Sequence, residues 1–180
     1  MGATAYVKSI SPQVLAILVE APSLIEPFVC CYPPSVPQDF PEEMRVQFLS
    51  SSGIQEHLMG MREWLKDESP EHAGMLLSEA SEPHVYLDKV WHQLQEYIRD
   101  AGAASSAATC ILGGQEIGPD LGYGRARLLL PAEVVVCTDD LLEIDGTGLP
   151  SEELRVLFAQ LQGYYREASE HGRAILQHLE

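Results

Sequence analysis

Two polar residues in the middle of the chain have types and spacing that could support proton chemistry. Asp88 and His92 are four residues apart, so a helix would place the carboxylate and the imidazole on the same face. In that position the carboxylate could orient the imidazole for acid–base work or for metal ligation. The alternative, which we favour, is that Asp88 caps a helix N-terminus and His92 is a surface residue.

A glycine-rich stretch follows, with five glycines between Gly113 and Gly124, and Arg125 and Arg127 after them. Backbone N–H groups in glycine turns can surround an anion, and an arginine can bind it through two hydrogen bonds. The spacing is neither that of a P-loop nor that of a dinucleotide-binding turn. The alternative, again favoured, is that the glycines supply positive φ in successive turns and the arginines pair with carboxylates.

Together these residues give one hypothetical ligand-binding site, formed by Asp88, His92, Tyr123 and Arg127. Arg127 would hold an anionic group, His92 would exchange a proton and Asp88 would orient it. No metal-ligand spacing and no cofactor motif accompanies them, so no metal and no cofactor is predicted, and the catalytic residues, if there are any, stay unassigned.

A helix beginning near Asp88 would position Asp88 and His92, two of the four residues of this site. Its apolar residues share one face at helical spacing, and Gly102 is expected to end it. The face comprises Val90, Trp91, Leu94, Tyr97 and Ile98. We expect Trp91 to anchor this helix in the core.

The rest of the chain alternates between short strands and helices. We predict a strand over 3–10, a helix capped by Ser11, an extended proline-rich loop over 22–41, helices over 42–49 and 54–66, polar turns over 67–83, a strand over 126–130, a helix from Pro131, a long helix from Ser151, and a last strand after Gly172. The predicted class is α+β, a single domain over residues 1–180 in which a small sheet packs against several helices.

The amino-acid composition limits the kinds of partner that the protein is expected to bind. The 180 residues carry a formal net charge of −16 with only 11 lysines and arginines, which makes nucleic acid and anionic membranes poor partners. No window reaches the ~18 apolar residues of a membrane span. The four cysteines form no Cys-x-x-Cys pair and follow no secretion signal, so we expect reduced thiols and a cytoplasmic protein. The oligomeric state is not determined by these features.

Several motifs occur in an order that resembles the YfbM-like family of bacterial proteins. They are Leu87-Asp88-Lys89-x-Trp91-His92, Gly113-Gly114-x-x-Ile117-Gly118, Gly122-Tyr123-Gly124-x-Ala126-Arg127 and Pro131-x-Glu133-Val134, with similar residues at both chain ends. The resemblance implies an intracellular α+β domain of unknown function, without an activity or cofactor to carry over. It does not extend over residues 20–80, which we interpret as a divergent proline-rich and helical insertion. Arg125 stands where the family often has proline, which leaves Arg127 the better candidate.

Two functions follow from these observations. The first is a non-enzymatic interaction domain whose acidic surface binds a basic protein. The second is an enzyme or small-anion binder with its site at the glycine-rich stretch. We rank the first ahead because it does not require particular side chains to come together at one site.

Overall fold

The fold is organised around a five-stranded antiparallel sheet with the strand order β2-β1-β5-β4-β3. The computed structural model describes residues 3–32, 41–101 and 106–180. The strands are β1 Ala5–Ile10, β2 Val85–Tyr86, β3 Gln115–Asp120, β4 Arg125–Leu129 and β5 Ala174–Leu179. The first and last strands pair along their whole length, from Ala5 opposite Leu179 to Ile10 opposite Ala174. The predicted last strand beside the first is therefore confirmed.

Helices cover both faces of this sheet, which confirms the predicted α+β class. In the described part of the chain they are α1 Pro12–Glu20, α2 Ile25–Cys30, α3 Glu42–Leu49, α4 Ser52–Glu68, α5 Ala73–Ala80, α6 Trp91–Ala101, α7 Pro131–Leu142 and α8 Glu152–Glu170. Short 3₁₀ turns occur at Pro22–Leu24, Asp88–Val90, Ser106–Thr109 and Gly146–Gly148.

The two faces of the sheet belong to two hydrophobic clusters. On one face, α6, α7 and α8 pack against strand residues such as Val7 and Ile175. On the other, α1, α2, α4 and α5 pack against residues such as Ile10 and Leu176. Because successive side chains of a strand point to opposite faces, the two central strands are enclosed on both sides. Every residue from 174 to 178 is buried as a result.

Several helix boundaries follow the predicted capping chemistry. The Ser11 hydroxyl accepts a hydrogen bond from the backbone N–H of Val14 at 3.3 Å, at the start of α1. The Ser151 hydroxyl does the same for Leu154 at 3.2 Å, at the start of α8. Each serine satisfies one backbone donor that a helix N-terminus leaves free.

The helix predicted from Pro131 is also confirmed, although three consecutive valines favour a strand by propensity. Val134 is fully buried, whereas Val135 and Val136 are exposed, as an amphipathic helix requires. The Glu133 carboxylate accepts a hydrogen bond from the backbone N–H of Leu130 at 2.7 Å and so closes the first turn. Tertiary burial and this cap outweigh the β preference of the valines.

The extended loop predicted over 22–41 is wrong for its first part, where Pro22–Cys30 is helical. Pro22 is the first residue of a 3₁₀ turn, and Pro27 is the third residue of α2. A proline in the first turn of a helix loses no hydrogen bond, because the N–H groups there have no acceptor within the helix. The prolines at 33, 34 and 37 lie outside the described residues, as does Gly102.

Two further predictions need correction. The polar turns predicted over 67–83 contain the helix α5, whose Leu76 and Ala80 are buried against the sheet. The glycine-rich stretch contains the strand β3, which forms a hairpin with β4. A positive φ of 76° at Gly118 accompanies a shift of register between Ile117 and Asp120, so this glycine produces a bulge within a strand.

In the described part of the chain, no single helix has the length and apolar composition needed to cross a membrane; Pro12–Glu20 and Pro22–Cys30 meet both criteria only as a pair, and they are bent by 112° relative to each other.

Replacing Gly114 with alanine should destabilise the fold by about 2 kcal/mol or more. Gly114 has a φ of 87°, and an added Cβ would lie 2.4 Å from the carbonyl oxygen of Leu128. The matched control is Gly163→Ala in α8, where a Cβ meets nothing within 4 Å. That change should stabilise by about 0.5–1 kcal/mol, because alanine loses less backbone entropy in a helix. Urea denaturation of both variants measures the difference, and equal effects would contradict it.

Candidate ligand-binding site

The predicted pair of Asp88 and His92 does not have the expected local geometry. Asp88 is the first residue of a 3₁₀ turn with a φ of 42°, and its carboxylate accepts a hydrogen bond from the adjacent N–H of Lys89 at 2.6 Å. It is therefore not the N-cap, and α6 begins at Trp91. His92 is exposed, and among the described contacts it has none with Asp88. The helical face itself is confirmed, since Leu94 and Ile98 are buried.

Trp91 anchors this helix as predicted. Its ring packs partly buried against the core, and its indole N–H donates a hydrogen bond to the carbonyl oxygen of Ala3 at 2.9 Å. The contact joins the start of α6 to the residues that lead into β1. The role of Trp91 is therefore structural.

The other two predicted site residues lie on the β3–β4 hairpin. Arg127 forms an ion pair with Glu116, its neighbour across the two strands, at 2.8 Å. Tyr123 is 58% exposed in the hairpin turn, between Gly122 and Gly124, which both have positive φ. Among the contacts of described residues, none joins these two side chains to Asp88 or His92. A site shared by all four residues stays a prediction.

The structure brings together a different set of polar side chains, which we call the tyrosine–histidine cluster: Tyr6, Lys8, Tyr32, His84 and His178. The rings of Tyr6 and His178 are stacked, with centroids 4.8 Å apart and planes inclined by 9°. The Tyr32 ring lies 5.5 Å from His84 and 5.7 Å from His178. The strand register explains the first contact, because Tyr6 and His178 are directly opposite each other in β1 and β5.

Lys8 is the most deeply buried charged side chain of the cluster, with no exposed surface. Its Nζ donates hydrogen bonds to the carbonyl oxygens of Glu82 and Pro83 and lies 5.4 Å from the centre of the Tyr32 ring. Burial lowers the pKa of Lys8 to about 8, against the opposing fields of Glu82 and Glu79. A pKa near 8 gives Lys8 an appreciable neutral fraction at mildly alkaline pH.

An ion-pair network adjoins Lys8 on one side. Arg173 Nη2 donates to Glu79 Oε1 at 2.5 Å and to Glu82 Oε2 at 2.8 Å. Glu79 is 7% exposed and also accepts a hydrogen bond from the backbone N–H of Ser11. The network ties α5 and the turn after it to the start of α1 and to the residue before β5. It compensates charges that burial would otherwise penalise.

Both histidines of the cluster are held in their neutral forms. Burial lowers the pKa of His178 to about 4, with a further contribution from His84. Burial also lowers the pKa of His84 to about 4, and the Lys8 charge acts in the same direction. At neutral pH each ring therefore carries one N–H donor and one acceptor nitrogen. Tyr32 is protonated as well, because burial raises its pKa well above the ordinary value.

A cavity of about 290 Å³ opens beside this cluster, between α2, α4 and the ends of β1 and β5. Its polar wall consists of Tyr6, Cys30, Tyr32, His57, His178 and Glu180. The apolar remainder includes Val29 of α2 and Leu58 of α4. Concave sites with an apolar wall and a few convergent polar groups are typical of small-molecule binding.

Two atoms of the cavity wall lack a partner within the described part of the chain. Tyr32 Oη and His178 Nδ1 are fully buried and form no hydrogen bond there. The residues themselves are 6% and 5% exposed. Such atoms are rare in folded proteins, because a buried polar group without a partner costs about 1–3 kcal/mol. Both residues line the cavity, but neighbouring side chains cover these two atoms, so they do not open to it.

The cysteine of this wall is not activated as a nucleophile. Burial raises the pKa of Cys30, and the Glu26 carboxylate adds to the effect. The thiolate is the reactive form of cysteine, so this thiol is largely unreactive at neutral pH. Within the described ranges, no three histidine, cysteine, aspartate or glutamate side chains converge in a way that could hold a metal ion.

Sequence reasoning did not single out the tyrosine–histidine cluster, because its five members come from four separate parts of the chain. One signal was present in β1, where Lys8 shares a face with Tyr6 and Ile10 while Val7 lies on the opposite face. A strand with apolar residues on both faces is central, so its lysine must be enclosed. Nothing comparable marks Tyr32, which follows α2 and folds back over the sheet.

The fold and the cavity define an α+β protein with a candidate small-molecule site on one face of an antiparallel sheet. Residues 1–151 match a protein family described as a domain of unknown function, DUF1877. Since the match covers more than half of the chain, the chain belongs to this family. No curated protein and no solved structure matches the chain.

The family match and the sheet do not have the same limits. The match ends at residue 151, whereas β5 lies between β1 and β4 in the sheet. The segment after the match thus supplies a central strand and, with His178, part of the cavity wall. The match also runs through residues 20–80, where α2 and α4 provide the opposite wall. Their description as a divergent insertion stays a prediction.

Lowering the pH from about 6.5 to about 4 should destabilise the protein through the two histidines. In this range the unfolded chain binds protons that the folded protein excludes, so the free energy of unfolding falls as pH falls. A shift from 6.5 to about 4 corresponds to a loss on the order of 3 kcal/mol for His178. In His178→Phe this part of the pH dependence should disappear. Denaturation at a series of pH values measures it, and identical slopes for both proteins would contradict the assignment.

Proposed function

We propose that this protein binds a small organic molecule in the cavity between α2, α4 and the ends of β1 and β5. The observation that carries the proposal is the cavity itself, whose wall joins polar residues such as Tyr32, His57 and His178 to the apolar Val29 and Leu58. Such a site can enclose the apolar part of a ligand and hydrogen-bond its polar part.

Several residues of the tyrosine–histidine cluster would contribute to this binding. The stacked Tyr6 and His178 rings present a rigid surface for a ligand of limited size. Tyr32 is held over Lys8, so its position is fixed before a ligand arrives. Pre-organisation of this kind reduces the entropy lost on binding. The low pKa of His178, about 4, and the raised pKa of Tyr32 make both groups poor partners for proton transfer at neutral pH, so they favour binding over the enzyme alternative.

Replacing Tyr32 with phenylalanine should separate stability from binding. The change removes a hydroxyl that has no partner, so the fold should be as stable as the wild type or gain about 1 kcal/mol. A ligand that reaches this hydroxyl by displacing the side chains that cover it should bind more weakly. The control is Tyr165→Phe, since the Tyr165 hydroxyl is buried and donates to the carbonyl oxygen of Cys110 at 2.7 Å. That variant should lose about 1–3 kcal/mol.

Thermal denaturation of the two variants, with and without a fragment library, measures both effects. A ligand at a hundred times its dissociation constant adds ~2.7 kcal/mol to the wild type. A Tyr32→Phe protein destabilised as much as Tyr165→Phe would show that Tyr32 has a structural role instead. A library that stabilises neither protein would count against a small-molecule site.

A second candidate function is binding of a basic protein, supported by the net charge of −16 and by exposed apolar side chains on α3 and α4. Helix α3 leaves four large apolar side chains exposed, and Met59 of α4 adds a fifth, at 62% exposure. The α3 residues are Met44, Val46, Phe48 and Leu49. Large apolar side chains left exposed in this way are typical of protein contacts.

Val46→Ser should weaken such an interaction, whereas Val136→Ser on α7 should not. The two valines are similarly exposed, at 58% and 54%, so the pair distinguishes the surface from a general loss of apolar area. A basic partner should co-purify at low salt and be released at high salt, because exposed charges are screened beyond ~10 Å at 0.1 M salt. Salt-independent recovery, or equal loss in both variants, would contradict the interaction.

The finer assignments from the sequence are proposals as well. We infer that the family is the YfbM-like one from the motifs around Trp91 and Tyr123, and that the protein is bacterial. A cytoplasmic location is supported by the free thiols of Cys30, Cys31, Cys110 and Cys137. An anion site at the glycine-rich stretch would require Arg127 to exchange its partner Glu116 for the ligand.

A further inference from the structure

A second concave surface lies between the end of α1 and the β3–β4 hairpin, and we call it the hairpin groove. Its volume is about 680 Å³, and it follows residues 115–119 of β3. Sites of roughly 300–1,000 Å³ are typical of small-molecule binding. Among the described residues, those that line the groove all differ from those of the cavity beside the tyrosine–histidine cluster. The groove is therefore a separate candidate site.

Gly118 brings the two walls of the hairpin groove together. It has a φ of 76°, and a Cβ at this position would lie 3.0 Å from the carbonyl oxygen of Pro22 and 3.0 Å from Cδ1 of Ile25. The close approach of β3 to the 3₁₀ turn Pro22–Leu24 is accommodated because residue 118 has no side chain. Pro22 and Ser23 of that turn form one wall, and β3 forms the other. Both walls thus belong to regular elements whose separation is fixed by packing.

The surface of the groove is largely apolar and incompletely covered. Val19 of α1 and Leu130, after β4, are 52% and 43% exposed. Ile117 of β3 is half-buried between them and the core. Contact with a ligand would remove this apolar area from water, which is favourable. The groove can therefore hold the apolar body of a ligand.

Arg125 supplies a positive charge to the wall of the groove. The residue is exposed, and within the described part of the chain its side chain forms no ion pair and no hydrogen bond. Arg127, by contrast, pairs with Glu116 at 2.8 Å, so the carboxylate on the groove wall is already compensated. The N–H donors of the Arg125 guanidinium are available to a ligand.

The hairpin turn explains why Asp120 does not pair with Arg125. The two residues are opposite each other in the strand register. The Asp120 carboxylate instead accepts hydrogen bonds from the backbone N–H groups of Gly122 and Gly124, at 2.8 and 3.2 Å. These bonds hold the carboxylate at the turn and partly offset its charge. The Arg125 guanidinium is left to the groove.

We propose that the hairpin groove binds a monocarboxylate with an apolar body, whose carboxylate pairs with Arg125 and whose body packs on Val19 and Leu130. A guanidinium matches a carboxylate in shape and can donate two parallel hydrogen bonds to it. The site goes beyond the cavity of the proposed function. It assigns the anion expected at the glycine-rich stretch to Arg125, because Arg127 already has a partner.

The charges around the groove favour a ligand with a single negative charge. Within the described part of the chain, Arg125 is the unpaired ionic side chain of the wall, and the protein as a whole carries a net charge of −16. A phosphate monoester has a charge of about −1.5 to −2 at neutral pH, so one guanidinium would leave it undercompensated in a negative field. One guanidinium compensates a carboxylate fully.

The test measures the binding of five probes at pH 7: butyrate, hexanoate, hexyl phosphate, 1-hexanol and hexylamine. The backbone NMR signals of Ile117 and Gly118 report the groove, and those of Ile54 and His57 report the other cavity. Hexanoate should shift the groove signals and bind about tenfold or more tighter than 1-hexanol or hexylamine, which lack the charge-assisted contact. Butyrate should bind more weakly than hexanoate, by about two- to fourfold per missing CH₂. Hexyl phosphate should also bind more weakly.

Two matched pairs of variants locate the contacts. Arg125→Gln should weaken hexanoate binding about tenfold, whereas Arg166→Gln removes the same charge from an exposed position on α8 and should leave it nearly unchanged. Val19→Ser should weaken hexanoate severalfold, whereas Val136→Ser should not, although the two valines are 52% and 54% exposed. All four positions are at the surface, so each variant should melt close to the wild type.

The outcomes decide for or against the groove independently of the proposed function. Hexanoate that binds no better than 1-hexanol, hexylamine or hexyl phosphate, or equal losses in Arg125→Gln and Arg166→Gln, would overturn the assignment. Hexanoate that shifts only the Ile54 and His57 signals would also overturn it, while placing a ligand in the cavity of the proposed function. Groove signals that respond to hexanoate, and affinity that falls selectively in Arg125→Gln and Val19→Ser, support it.

Discussion

The pairing of β1 with β5 in the middle of the sheet is the constraint on which the rest of the structure depends. Both strands have neighbours on either edge and helices on either face, so all of their side chains are buried except those of Tyr6, Ser9 and Leu179, which are half-buried. Polar residues in these strands must therefore find partners inside the protein. Lys8, Gln177 and His178 meet this requirement in different ways.

Lys8 and Gln177 are satisfied by the backbone. Lys8 donates to two carbonyl oxygens of the segment that leads into β2. Gln177 accepts from the N–H of Leu112 and approaches the carbonyl oxygen of Thr109 with its amide nitrogen, at 3.4 Å. Each buried polar group thus fixes a connecting segment against the sheet. His178 stacks on the Tyr6 ring and lines the cavity, and its Nδ1 has no partner in the described part of the chain.

Local chemistry made much of the fold predictable. Ser11 and Ser151 are caps that depend only on residues within three positions, and the long apolar face of α8 depends only on its own spacing. The helix after Pro131 was predictable for the same reason, despite its valines. Such elements follow from short-range interactions, which a single sequence contains in full.

The errors arose where position within an element decides the effect of a residue. Pro27 breaks a helix at its centre but not in its first turn, and Gly118 ends a strand unless the strand can bulge. Asp88 takes a left-handed conformation that spacing alone does not reveal. The tyrosine–histidine cluster was beyond such reasoning altogether, since it depends on how β1, β5 and the end of α2 come together.

The position of β5 has a consequence for synthesis of the chain. A ribosome releases β1 well before β5, yet each pairs mainly with the other, across separations such as that from Ala5 to Leu179. Until β5 emerges, β1 and β4 lack their shared neighbour, and the apolar surfaces on either side stay open to misassociation. Closure of the sheet therefore waits for β5, and the nascent polypeptide depends on its helices for whatever order it holds before then.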